Sequence, residues 1–81
     1  MSKRRDRLIG ELLFITKDGN RALVWVYRGE HTFTLRRIDG VRTEERTKGD
    51  PYNGDLSYYV SEAMLVWSDL KADGVEINPK S

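Results

Sequence analysis

The chain has 81 residues, with 14 Lys and Arg against 13 Asp and Glu, a single histidine and no cysteine. A chain of this length forms one domain, near the size at which a single hydrophobic core is only just sufficient. The composition excludes disulfides, thiolate metal sites and a His-pair mechanism, and no apolar run approaches the roughly 20 residues that a membrane helix needs. The lack of cysteine favours a reducing compartment, and we predict a cytoplasmic protein, the cytoplasm of an infected host included.

Charge is distributed unevenly along the chain. Residues 1–48 hold 12 Lys and Arg against 7 Asp and Glu, a net charge of +5, whereas residues 49–81 hold 2 against 6, a net charge of −4. Such asymmetry steers nucleic acid towards one surface, although attraction between the two halves of the chain explains it equally well. Residues 1–6 contain nothing that can be buried, so we expect a disordered basic arm there, followed by a single domain over residues 7–78.

Residues 7–47 predict four β-strands separated by two-residue turns. Asp-Gly suits a type I′ turn, and a leading Gly suits a type II′ turn. Three dipeptides fit these turn types: Asp18-Gly19, Gly29-Glu30 and Asp39-Gly40. Strands joined so tightly are antiparallel neighbours, so the expected sheet is a four-stranded antiparallel meander. Gly10, inside the first strand, indicates a bulge or a close backbone approach.

The two-residue turns fix the register of the sheet and therefore the side chains on each of its faces. One face is predicted to be aliphatic and consists of Ile9, Leu13, Ile15, Ala22, Val24, Val26, Phe33 and Leu35. The opposite face is richer in aromatic side chains and consists of Leu12, Phe14, Leu23, Trp25, Tyr27, Thr32, Thr34 and Arg36, with Arg21, Ile38, Thr43 and Glu45 at its margins. A sheet with one solvated face alternates apolar and polar residues, and the first two strands do not. Something must therefore cover part of the second face.

Residues 56–72 predict a C-terminal amphipathic helix. At roughly 100° per residue, the apolar residues form a broad stripe on one side of it. The stripe consists of Leu56, Tyr59, Val60, Ala63, Val66, Trp67 and Leu70. Asp55 is expected as the N-cap and Gly74 as the C′ residue, while Tyr58 and Leu65 fall on the polar side.

The start of this helix has an alternative. Residues 56–60 also fit a strand, in which case Ser61 caps a shorter helix. Residues 75–77 are expected to form a short final strand or tie-down that Pro79 ends. In either case the prediction is an α+β fold, in which one helix packs on the aliphatic face of the four-stranded sheet.

One helix covers only one face, which leaves the other face of the sheet to a partner. The predicted partner-binding residues are the aromatic and Arg set Phe14, Arg21, Trp25, Tyr27 and Arg36. Trp and Tyr are preferred anchors of protein interfaces, and rings beside Arg also hold single-stranded nucleic acid. For nucleic acid the basic start of the chain adds a second contact: Lys3, Arg4, Arg5 and Arg7.

Catalytic patterns are missing from the sequence. The carboxylates are scattered, the serines have no evident base, and there is no Gly-rich phosphate loop or metal-ligand spacing. We therefore predict no enzyme, no cofactor, no metal and no small-molecule substrate. The expected function is a small protein-binding module, a regulator or inhibitor of phage or plasmid type, whose partner is another protein or a second copy of itself. Nucleic-acid binding by the same face and the basic arm is the alternative, and the net charge near zero favours the protein partner.

Overall fold

The computed structural model describes residues 7–29, 31–38, 41–48 and 54–80, and of residues 41–48 it describes the backbone. The elements are β1 (Arg7–Ile15), β2 (Arg21–Arg28), β3 (Thr32–Ile38), β4 (Val41–Lys48), α1 (Ser57–Val66) and β5 (Glu76–Pro79). All strand pairs are antiparallel, and the strands lie in the order β4-β3-β2-β1-β5. The α+β fold, the four-stranded meander and the single helix are confirmed, and the short final strand is present as β5.

The turn between β1 and β2 contains three residues instead of the predicted two. The Thr16 N–H donates to the Asn20 carbonyl (2.8 Å) and the Gly19 N–H to the Thr16 carbonyl (2.9 Å). The Asn20 N–H donates in addition to Thr16 Oγ1 (2.9 Å). Gly19 has a φ of 90°, the left-handed conformation that follows a type I turn in three-residue hairpins and that glycine adopts without strain.

The other two hairpins differ from each other in the length of their connections. Arg28 pairs with Thr32, so three residues separate this pair and the predicted two-residue connection is wrong. Ile38 pairs with Val41, as a two-residue connection requires. The predicted Asp39-Gly40 turn itself lies outside the described residues.

A one-residue shift in both of the first hairpins changes the composition of the two faces. Val24, at the centre of β2, pairs with Leu12 and Arg36, whereas the predicted partners were Leu13 and Leu35. Because side chains alternate along a strand, such a shift moves every side chain of a strand to the opposite face. Relative to β2, residues 12–15 of β1 and residues 32–36 of β3 are therefore on the face opposite to the predicted one. Ile9, at the β-bulge of β1, is on the predicted face with Val24 and Val26.

The helix and the segment after it pack on one face of the sheet, which we call the covered face. Its side chains are Ile9, Leu12, Phe14, Thr16, Ala22, Val24, Val26, Thr32, Thr34 and Arg36. The buried residues that pack on it are Leu56, Tyr59, Ala63, Trp67 and Leu70. Five residues of the predicted apolar stripe are thus buried, and Val60 and Val66 are half-buried. Tyr58 and Leu65, on the other side of α1, are exposed.

The helix begins near the predicted position but ends earlier. The N-cap is Leu56 in place of Asp55, although the Asp55 carboxylate still accepts a hydrogen bond from the Ser57 N–H (3.1 Å). The alternative that places a strand at residues 56–60 is wrong. At the other end, Trp67 is extended, so the helix does not reach residue 72 and Gly74 is not its C′ residue.

Hydrogen bonds to β1 explain the early end of α1. The Lys17 N–H donates to the Asp69 carbonyl (2.8 Å), and the Lys71 N–H donates to the Ile15 carbonyl (3.0 Å). Between them, Leu70 forms a β-bridge with Thr16. These bonds replace one further helical turn, and they still bury the Leu70 side chain.

Gly10 lies where the start of α1 comes closest to the sheet. The pairing of β1 with β2 shifts between Leu8 and Gly10, which marks a β-bulge. A Cβ atom at Gly10 would lie 2.6 Å from Leu56 Cδ1, closer than carbon atoms approach in packed proteins. The predicted bulge is confirmed, and the group that approaches Gly10 closely is the Leu56 side chain.

Candidate functional site

The face of the sheet that points away from α1 carries a large apolar surface, which we call the open face. Eight apolar side chains of β1, β2 and β3 form it, and all are partly exposed: Leu8, Leu13, Ile15, Leu23, Trp25, Tyr27, Phe33 and Leu35. The polar members on the same three strands are Glu11, Arg21 and Arg37. The residues of β1, β2 and β3 therefore alternate between buried and partly exposed, but they do not alternate between apolar and polar.

The predicted partner-binding residues are divided between the two faces. Trp25, Tyr27 and Arg21 lie on the open face, as part of one strand. Phe14 is fully buried in the core, and Arg36 is on the covered face, so the prediction that these two belong to the same surface as Trp25 is wrong. The register shift described above is the physical reason.

The basic residues predicted to contact nucleic acid are placed only in part. Arg7 is exposed and is the first residue of β1. It pairs directly with Arg28, which is also exposed. Lys3, Arg4 and Arg5 lie outside the described residues.

Arg36 connects β3 to the segment after α1. Its Nη1 atom lies 2.5 Å from Asp69 Oδ1, and its Cζ atom lies 5.4 Å from the centre of the Trp67 ring. The Arg36 side chain is only 13 % exposed. It is held inside the protein between β3 and the residues that follow α1, so it is not available to a partner on the open face.

Trp25 is fixed at the centre of the open face by two polar neighbours. Its Nε1–H donates to Glu11 Oε2 (2.8 Å), and the Arg37 Cζ atom lies 4.7 Å from the centre of its ring. The hydrogen bond satisfies the one polar atom of the indole, and the guanidinium covers part of the ring by a cation–π contact. The sequence analysis missed Glu11 and Arg37 as members of this site.

The second aromatic pair of the open face consists of Tyr27 and Phe33. Their ring centres are 5.2 Å apart and their planes differ by 15°, a stacked arrangement across β2 and β3. Phe33 and Leu35 were predicted to lie on the face opposite to Tyr27. Because Phe33 and Leu35 alternate with Thr32 and Thr34, the sequence predicts that Phe33 and Leu35 share one face. Only the observed register shows that this is the face of Trp25.

Comparisons with known proteins leave this face as the main source of functional information. The chain matches no protein-family model, no curated protein and no solved structure. Within the described ranges there is no group of three or more His, Asp or Glu side chains that could hold a metal ion, and no helix there is long and apolar enough to cross a membrane. The single histidine, His31, is exposed in the turn between β2 and β3.

Proposed function

We propose that this chain is a small protein-binding module that docks through the open face. The observation that carries the proposal is that eight large apolar side chains share the side of the sheet that faces away from α1. Three strands about 4.8 Å apart and about 23 Å long span on the order of 300 Å². The largest apolar patch of a typical monomeric protein covers about 300–600 Å² and is often an interaction site.

The state of the aromatic rings favours a protein partner over single-stranded nucleic acid. Bases bind by stacking on free ring surfaces. Here the Trp25 ring is partly covered by Arg37, and Tyr27 and Phe33 stack on each other. A protein partner needs contact area and shape at these anchors, and side chains that already hold one another in place lose little conformational entropy on binding.

A protein that docks on a partner without catalysing a reaction acts by covering part of the partner's surface. This is the mode of a small regulator or inhibitor, and the phage- or plasmid-type regulator expected from the sequence belongs to this class. The cysteine-free composition is the reason to place its partner in the cytoplasm.

Site-specific photo-crosslinking in the cell tests the proposal. A photoreactive phenylalanine replaces Leu35 on the open face in one variant and Leu65 on the exposed side of α1 in the other. We expect a protein adduct from position 35 and none from position 65. Absence of an adduct at position 35, equal adducts at both positions, or an adduct with nucleic acid at position 35 would each overturn the proposal.

A second candidate function, nucleic-acid binding, is favoured by one observation at the end of the sheet. Arg7 and Arg28 are exposed and directly opposite each other on β1 and β2, an arrangement in which like charges repel. An anionic ligand such as a phosphate backbone would relieve that repulsion. Titration of a fluorescent oligonucleotide should then give an affinity that falls steeply as salt rises and that Arg28→Ala weakens. No binding at low salt eliminates this candidate.

A further inference from the structure

β5 is held to the rest of the protein mainly by its backbone. All four residues of β5 are exposed, and its one large apolar side chain, Ile77, is 39 % exposed. The half-buried Val75, just before β5, supplies an apolar contact with the core. β5 is also an edge strand, so it pairs with β1 alone. Little burial opposes its release, because hydrophobic stabilisation is proportional to the apolar area removed from water.

The residues before β5 divide into an anchored part and an exposed turn. Trp67 and Leu70 are buried, and the Lys71 N–H donates to the Ile15 carbonyl (3.0 Å). Residues 72–74 are exposed, and Gly74 has a φ of 70° with open space where a Cβ atom would lie. A movement of β5 about this turn therefore leaves the buried residues of the covered face in place.

The backbone hydrogen bonds of β1 alternate between its two neighbouring strands. The Thr16 N–H donates to the Asn20 carbonyl on the β2 side (2.8 Å), whereas the Ile9 carbonyl accepts from the Lys80 N–H on the β5 side (3.0 Å). In an antiparallel pair, hydrogen-bonded positions recur at every second residue. Given the registers of both pairs, the odd-numbered residues from 9 to 13 direct their N–H and C=O groups towards β5. The even-numbered residues 12 and 14 direct theirs towards β2.

The outer edge of β5 is blocked by Pro79. The same alternation directs residues 76, 78 and 80 towards β1 and residues 77 and 79 outwards. Proline has no N–H, so Ile77 supplies the outward donor of β5. Addition of a further strand to β5 is therefore disfavoured, and edges of protein sheets are commonly protected in this way. The odd-numbered residues of β1 under β5 have both N–H and C=O groups and lack this protection.

We propose that β5 is a detachable edge strand, which leaves β1 as a unit while β1–β4 and α1 stay folded. Its release exposes the N–H and C=O groups of residues 9, 11 and 13, and an extended polypeptide strand can bind to such groups. The fold thus has a closed state, in which β5 covers this edge, and an open state, in which the edge is free beside the open face. The two states exist whether or not the open face has a partner, so they are independent of the function proposed above.

Native-state hydrogen exchange of the full chain, followed by NMR, tests for the open state. The amides of Glu11 and Leu13 are bonded to β5, whereas those of Leu12 and Phe14 in the same strand are bonded to β2. After correction for intrinsic rates, we expect the first pair to exchange about tenfold or more faster than the second, because sub-global opening frees only the first pair. The Lys71 amide, on the anchored side of the turn, is the internal control and should not share the faster exchange of Glu11.

The amides of β5 distinguish release as a unit from fraying of the chain end. The N–H groups of residues 76, 78 and 80 should share one opening constant with Glu11 and Leu13, within about threefold. Equal exchange of the amides bonded to β5 and to β2 overturns the proposal, since β5 then opens only with the whole sheet. Opening constants that rise steadily from residue 76 to residue 80 overturn it as well, because they indicate fraying.

Two proline variants sharpen the test. Asn78→Pro removes an N–H that faces β1, so it should speed exchange of the Glu11 amide about tenfold and leave that of Leu12 unchanged. Ile77→Pro is the matched control, because its ring replaces an N–H that faces outwards, as Pro79 does, and it should change the Glu11 rate less than about twofold. Equal effects of the two variants, or faster exchange of Leu12 in Asn78→Pro, contradict separate release of β5. Circular dichroism establishes that each variant retains the native sheet.

Discussion

The two faces of this sheet are both apolar, yet they are organised by different contacts. On the covered face, side chains such as Phe14 and Val24 are fully buried because α1 lies over them. On the open face, Trp25 and Tyr27 are partly exposed and are held by neighbours within the sheet, Glu11 and Phe33. The covered face therefore depends on the helix for its order, whereas the open face is ordered before any partner arrives. A surface that is already ordered loses little conformational entropy when a partner docks.

Identical substitutions on the two faces should give the largest contrast. Phe14→Ala is expected to lower the free energy of unfolding by about 3–5 kcal/mol, because it opens a cavity in the core. Phe33→Ala should lower it by about 1 kcal/mol, the loss of one stacked aromatic pair. Chemical denaturation at low protein concentration measures both values without a contribution from self-association. Equal losses would mean that the two faces are equally buried.

Gly10→Ala tests how tightly the helix meets the covered face. The added methyl group would lie 2.6 Å from Leu56 Cδ1, so Leu56 or the bulge must move. We expect the free energy of unfolding to fall by about 1–3 kcal/mol, as in other overpacked cores. Leu56→Ala in the same chain should remove this penalty, and a double-mutant cycle measures the coupling. Purely additive losses would place the two residues out of contact.

Asp69→Asn tests the ion pair between Arg36 and Asp69, and its effect should be small. Asp69 is 46 % exposed, so solvent screens its attraction to Arg36 even though that arginine is mostly buried. We expect a loss of about 1 kcal/mol that shrinks as salt is added. Asp73→Asn, at an exposed position, is the matched control and should change stability little. A salt-independent loss would show that the contact acts through packing.

Local sequence patterns were sufficient to predict the strands, the apolar stripe of the helix and the existence of a second apolar face. They were not sufficient for the register. Asp18-Gly19 fits a two-residue turn as well as the last two positions of a three-residue turn. The choice depends on Thr16 and Asn20, which hydrogen-bond to each other across the turn. Where both faces are apolar, the hydrophobic pattern does not penalise the wrong choice.

The wrong register also led to errors in the predicted site. Trp25 and Tyr27 share a face with Arg21 because all three belong to β2, whereas the faces of Phe14 and Arg36 were inferred from the pairing of the neighbouring strands and are the opposite ones. The end of α1 was missed for a different reason. Bonds between residues 69–71 and β1 connect parts of the chain far apart in sequence, and helix periodicity contains no information about them.

The pairing of β5 with β1 joins two strands that are synthesised far apart in time. During translation, residues 10–13 of β1 have no neighbour on their outer side until residues 76–79 have left the ribosome. Once β1 and β2 have paired, a nascent chain therefore presents a bare strand edge beside an apolar surface until β5 emerges, a combination that favours aggregation. Production of this protein should be sensitive to chaperone supply and to the loss of residues 76–79.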